Sequence, residues 1–233
     1  MRKILDALDQ TEQSEQMLVV LTSDNGGLFH DWDFRADDDG GRAPVTRRGK
    51  ETARFGHYSN GPLRGRKGDI YEGGHRVPLL LRWPETIQAK SVCNQTFELT
   101  DLFATISDLV GVQPKGESGM DSFSMLSILR GEHDNATRPF AVHHSLRGMF
   151  AIRRGTMKFV EGCGSGGFTR PREINPKSDS GDASSNVTGQ LYDLSADPRE
   201  QRNRFEQQAD QVVELHSLLD RVRQRGAVAA GNE

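Results

Sequence analysis

The run Met17-Leu18-Val19-Val20-Leu21 stops abruptly at Thr22-Ser23-Asp24-Asn25-Gly26-Gly27. A short apolar run closed by a polar, glycine-rich stop reads as a buried strand ending in a loop. In open α/β sheets, ligands gather outside the carboxyl ends of the strands. Asp24 and Asn25 are thereby delivered to the place where chemistry is done. Both carry oxygen donors that suit a hard cation such as calcium or magnesium. Read alone, the same residues are what an ordinary turn uses. One carboxylate and one amide carbonyl also leave most of the roughly six or more oxygen positions of such an ion to other residues. Asp37, Asp38 and Asp39 are candidates by charge, and equally a solvated acidic run.

Around that strand the chain alternates between periodic and irregular stretches. Met1 to Asp9 reads as an amphipathic helix with Ile4, Leu5 and Leu8 on one face. Its charges fall where a signal peptide needs an apolar core, so no export signal is visible. From Gly26 to Pro62 there is no regular period, the mark of a functional or disordered loop. Val77 to Pro84 reads as a second buried strand. Leu102, Phe103, Ile106, Leu109 and Val110 recur at helical spacing, with Thr100 as N-cap and Gly111 as the residue just past the end. Met125, Leu126 and Leu129 mark a shorter helix that stops near Gly131.

After Pro139 the character changes. Phe140–His144, Met149–Arg153, Met157–Val160 and Gln190–Leu194 read as short strands, 162–189 as a surface loop, and Val212–Val222 as a terminal amphipathic helix. The division is therefore an incomplete α/β body over 1–138 and a small antiparallel sheet with a helix over 139–233. A doubly wound sheet needs more neighbours than the two strands of that body.

Composition narrows the function. The 233 residues carry a net charge of -3, so nothing points to a nucleic-acid partner. No apolar stretch is long enough to span a bilayer. Cys93 and Cys163 form neither a disulfide framework nor a C-x-x-C pattern, and read as two free thiols. There is no G-x-S-x-G elbow and no P-loop; Gly164-Ser165-Gly166 reads as a flexible loop.

A second cluster, Gly65-Arg66-Lys67-Gly68-Asp69-Ile70-Tyr71-Glu72-Gly73-Gly74-His75-Arg76-Val77-Pro78, places a lysine between glycines. Backbone can approach a ligand closely there, and a lysine near a bound cation suits a phosphate or sulfate group. By itself Lys67 is equally a surface lysine. Glu72 and Arg76 read as a buried pair orienting the loop, with Gly73 and Gly74 at tight backbone positions. His30, His57, His75, His143 and His144 are possible acid–base groups, with no role fixed for any of them.

Taken together these segments resemble the sulfatase family, the formylglycine-dependent sulfuric ester hydrolases of the alkaline-phosphatase-like fold, in its C-terminal half. Leu18–Gly27 is similar to the family's second metal-binding segment, and Gly61–Pro78 to its lysine segment. Asp101–Ile106 resembles the helix that follows, and Phe150–Lys158 with Leu191–Pro198 the C-terminal subdomain.

The resemblance implies that Asp24 and Asn25 are calcium ligands. It implies that Lys67 binds the sulfate oxygens of the substrate and assists the leaving group, and that Glu72, Gly73, Gly74 and Arg76 are structural. The implied substrate is a sugar or aryl sulfate ester. The family's C/S-x-P-x-R motif, source of the formylglycine, is matched at neither Cys93 nor Cys163, and its N-terminal Asp pair is missing. The chain is therefore expected to be a partial sequence, inactive alone, with formylglycine in the absent half. The full-length protein is expected to be periplasmic or secreted, as family members often are. The alternatives are a metal-dependent phosphoryl-transfer enzyme of the same fold and a non-catalytic remnant domain.

Overall fold

The computed structural model describes residues 1–28, 59–132, 138–169 and 189–226. These gather into two units. One holds 1–23 and 78–139 in their described parts, with Gly226. The other holds 24–77 and 140–225 in theirs.

In the first unit, α1 (Arg2–Gln10) precedes β1 (Val19–Thr22). β1 pairs antiparallel with β2 (Leu79–Arg82), Val19 facing Arg82 and Thr22 facing Leu79. Both strands sit where the apolar runs place them, but neither is buried: Leu21 and Leu80 are exposed. The sequence indicates a strand with two apolar faces, and among the described residues each strand has one partner. Arg82 Nη1 donates to the Ser14 carbonyl at 3.0 Å, tying β2 to the segment after α1.

The helix α2 (Glu72–His75) belongs to the second unit. Next in the first unit come α3 (Asp101–Leu109) and α4 (Leu126–Leu129). Gly111 and Gly131 close α3 and α4 with φ of 68° and 71°, the left-handed conformation that glycine adopts without strain. Thr100 occupies the N-cap position but caps nothing with its side chain. The carboxylate of Asp101 does the gathering instead. It accepts from Glu98 N at 2.9 Å, from Phe123 N at 2.8 Å and from Arg138 Nε at 2.9 Å, with a further bond from Arg138 Nη2. Arg138 Nη2 also reaches the Asp121 carbonyl at 2.6 Å, and Glu98 lies 2.7 Å from Nη1. The face of α3 that turns inward is thus polar, Asp101 and Thr105, while Phe103, Ile106 and Val110 are exposed.

The second unit has a conventional core. Strands β3 (Ala141–His144), β4 (Phe150–Arg154), β5 (Met157–Glu161) and β6 (Gly189–Asp193) form an antiparallel sheet in that order. Side chains alternate between its faces. Ile152, Phe159 and Leu191 are in register and pack against Leu215 and Leu219 of α5 (Ala209–Arg225). The opposite face carries Ala151, Val160 and Tyr192, which cluster with Ile70 and Tyr71. This sheet with a helix across it is the arrangement read from the sequence after Pro139. No described helix is long and apolar enough to cross a membrane.

Candidate functional site

The site lies within the second unit and is built from close backbone contacts. Gly26 N donates to the Gly74 carbonyl at 2.9 Å, and a Cβ on Gly26 would lie 1.8 Å from the Gly73 oxygen. A Cβ on Gly73 would meet the Gly65 oxygen at 2.3 Å, and one on Gly74 the Asp69 oxygen at 2.1 Å. These positions are glycine because another strand of backbone occupies the space of the side chain. The tight positions expected at Gly73 and Gly74 are present, and Gly26 joins them.

Asn60 stitches the two segments together. Its Oδ1 accepts from Gly27 N at 2.6 Å, and its Nδ2 donates to the Gly65 carbonyl at 2.9 Å. Lys67 N then donates to the Gly27 carbonyl at 3.1 Å. The loop carrying Lys67 is therefore hydrogen-bonded to the residue two beyond Asn25. Asn25 Nδ2 donates to Asp24 Oδ1 at 2.5 Å. Asp24 and Lys67 are exposed, and Asn25 is half-buried.

Asp69 anchors the lysine loop from its other end. Its buried carboxylate accepts from Arg66 N at 2.8 Å, Phe168 N at 2.6 Å, Thr169 N at 3.0 Å and the Thr169 hydroxyl. Ile70 N donates to the Ser165 carbonyl at 2.8 Å. Gly164–Gly167 are buried, so the start of the stretch read as a surface loop is packed structure; the rest of it lies outside the described residues. Asp69 explains the difference, because it supplies acceptors to backbone that polar composition alone marks as loop.

Beneath the knot lies a buried charge cluster. Lys158 is fully buried, and its Nζ lies 3.1 Å from Glu72 Oε1, 2.8 Å from Glu200 Oε1 and 2.8 Å from the Ile70 carbonyl. Glu72 N donates to Glu200 Oε2 at 2.7 Å. Burial pushes the Glu72 carboxyl up, but Lys158, His75 and Arg153 together outweigh it and hold the group down at about 2. Burial and the neighbouring Glu72 charge raise the Glu200 carboxyl against the pull of Lys158. The Glu72–Arg76 pair read from the sequence forms, but only its glutamate is buried. Arg76 is exposed with its Nη1 at 3.6 Å from Glu72, and the closer partner is Lys158. The reason is pleat: β5 turns Lys158 to the face on which the 64–75 segment lies.

Two histidines join this cluster. His75 Nε2 lies 2.6 Å from His143 Nε2, with ring centroids 3.6 Å apart. Such an approach leaves room for one hydrogen between the nitrogens. Burial, then the Lys158 charge, holds His75 down to about 3 despite Glu72. Burial, then His75 and Lys158, holds His143 well below its ordinary value. Both are neutral at neutral pH, which suits packing rather than proton transfer. His144 is exposed at the end of β3, its Nδ1 2.9 Å from the Ser145 carbonyl. His30, His57, Asp37, Asp38 and Asp39 lie outside the described residues.

The donor chemistry of Asp24 and Asn25, adjacent oxygens on one turn, fits part of a hard-cation shell. Among the described residues, no group of three or more His, Cys, Asp and Glu could hold a metal by itself.

Comparison with known proteins bears on this geometry. The family model described as Sulfatase matches residues 1–112. An N-acetylgalactosamine-6-O-sulfatase of Bacteroides thetaiotaomicron is 30% identical over 223 residues, 96% of this chain and 39% of that protein. Arylsulfatase A of Homo sapiens is 30% identical over 212 residues, 86% of this chain and 36% of that protein. This chain thus spans less than half the length of these relatives. A solved Bacteroides thetaiotaomicron structure, described in connection with the metabolism of multiple glycosaminoglycans, superposes with a TM-score of 0.75 at 28% identity, over 96% of this chain and 42% of its own. A protein solved with its substrate D-glucosamine-2-N,6-O-disulfate has a TM-score of 0.63 at 20% identity, over 96% and 37%, a likeness of fold alone.

Proposed function

This chain belongs to the sulfatase family, matching its C-terminal portion, and from that premise we propose that the knot joining Asp24 to Lys67 is the oxyanion-binding wall of a sulfate-ester hydrolase. The fold is the α/β, alkaline-phosphatase-like fold of that family. The observation that carries the proposal is the bond from Lys67 N to the Gly27 carbonyl, 3.1 Å, braced by Asn60. It supports a site in which segments some forty residues apart in sequence act on one ligand.

Lys67 presents a compact positive charge to sulfate oxygens and offsets charge growing on the leaving oxygen. Asp24 and Asn25 would hold a calcium ion, which when bound polarises the sulfate. The glycine contacts fix these residues against rearrangement, since any Cβ there would force backbone apart. Neither Cys93 nor Cys163 stands in a C/S-x-P-x-R sequence, so the chain supplies recognition rather than the nucleophile. The substrate is a sulfate ester, and a sulfated sugar is favoured by what the compared proteins are described as acting on or binding.

The test is calorimetric titration of the full chain with inorganic sulfate in the presence of calcium. Lys67→Ala should weaken binding by about tenfold or more, the loss of one charge-assisted contact, with an unchanged circular dichroism spectrum. Unchanged affinity would reject the assignment.

A further inference from the structure

Beside Lys67 the protein places an apolar rim in contact with solvent. Gly68, with φ of 87°, has the Phe168 ring 3.2 Å and Leu146 Cβ 3.3 Å from where its own Cβ would be. Phe168 and Leu146 are nevertheless 36% and 62% exposed. Scattered exposed apolar residues need no explanation. These two flank one glycine, next to the cation that the site reading uses, and the backbone at both is hydrogen-bonded in place. Leu146 N donates to the Gly68 carbonyl at 2.8 Å, and Arg147 N to the Gly166 carbonyl at 3.0 Å. Asp69 binds Arg66 N and Phe168 N with one carboxylate, which ties the Phe168 backbone to the lysine loop. Arg66 Nη2 donates to the Phe168 carbonyl at 3.0 Å, and its guanidinium lies 6.0 Å from the ring centroid. Arg147 is exposed on the same turn as Leu146.

We propose that Phe168, Leu146 and Arg147 form the sugar-facing rim of the Lys67 site. The apolar face of a sulfated sugar ring lies on Phe168 and Leu146 while its sulfate lies on Lys67. This rests on the reading of Lys67 as the sulfate-binding residue. Ligand sites combine apolar and aromatic walls with a few placed polar groups. An aromatic ring with the Arg66 guanidinium 6.0 Å from its centroid, on turns that also carry the exposed Lys67 and Arg147, suits a ring with several polar or anionic substituents more than it suits a plain aryl group. Phe168 and Leu146 thereby set substrate preference, and Lys67 sets oxyanion affinity.

The experiment titrates the full chain, with calcium present, against N-acetylgalactosamine 6-sulfate, inorganic sulfate and phenyl sulfate. The wild-type chain should bind the sugar sulfate more tightly than the inorganic ion. Phe168→Ala should lose about tenfold in sugar-sulfate affinity and leave inorganic sulfate unchanged, and Phe168→Trp should retain the sugar preference. The proposal is overturned by equal wild-type affinities for sugar sulfate and sulfate, by an unchanged ratio in Phe168→Ala, or by a larger Phe168 dependence for phenyl sulfate than for the sugar. Lys67→Ala separates the layers. Intact inorganic-sulfate binding in that variant removes the underlying reading and the rim with it. Loss there, combined with no effect of Phe168→Ala, removes the rim alone.

Discussion

Each unit is organised around a buried cation, and the two cations work differently. Arg138 meets Asp101 fork to fork, and together they close three turns around the start of α3. Lys158 is a point charge that joins the Ile70 carbonyl and Glu72 of one segment to Glu200 of another. A planar guanidinium defines a geometry, whereas an ammonium gathers whatever oxygens surround it. In the first unit the ion pair lies at the buried start of α3, while Phe103 and Ile106 of that helix are exposed. In the second it sits beside a full apolar core and underlies the segment that carries the candidate site. Buried charge there holds a functional loop in one position, and the Ile152–Phe159–Leu191 layer provides the stability.

Breaking each cluster tests that contrast. Lys158→Ala leaves two buried carboxylates facing each other and should cost about 4 kcal/mol, within the range for breaking a buried pair. Denaturant unfolding measures the loss, and hydrogen exchange should show 64–75 opening first. Asp101→Ala leaves the buried Arg138 guanidinium with Glu98 and the Asp121 carbonyl but without its fork-to-fork partner, and should cost about 3 kcal/mol, with lost protection confined to the turns around α3. Equal loss of protection at the Lys67 loop would erase the distinction. Gly26→Ala pushes a methyl group into the Gly73 carbonyl and should cost about 2 kcal/mol by overpacking. It should also weaken sulfate binding in calorimetry, because it parts the two segments of the site.

The smallest effect is pH-dependent. His75 and His143 have folded-state values below the free imidazole value, so between them the unfolded chain binds more protons. Their contribution is complete above about pH 6.5 and is lost as the pH falls toward the folded values. Stability should drop by about 1 kcal/mol between pH 7 and pH 6. His143→Gln should flatten that slope in denaturant titrations, and an unchanged slope would show that the pair is not the source.

Much of this was legible in the sequence, for identifiable reasons. Alternation located β3 to β6, and helical spacing located α3 and α5, because local pattern determines local structure. The lysine segment was legible as one piece because its glycines serve contacts made largely within it. Lys158 was not legible. A lysine in a short strand looks like an outward residue until Glu72, 86 positions away, is known to sit beneath it. Separations of 68 and 99 positions likewise hid the His75–His143 contact and the grip of Asp69 on Phe168. The strands β1 and β2 carry apolar residues on both faces, so burial was the natural reading of Leu21 and Leu80, which the described residues leave exposed.

The central claim is that Lys67 and the Asp24–Asn25 turn act on a single ligand. A crystal structure of the full chain grown with calcium and sulfate tests it most directly. One cation is expected against the oxygens of Asp24 and Asn25, and one sulfate held by the Lys67 ammonium beside it. A sulfate bound elsewhere, with the Lys67 ammonium extended into solvent away from that turn, would contradict it.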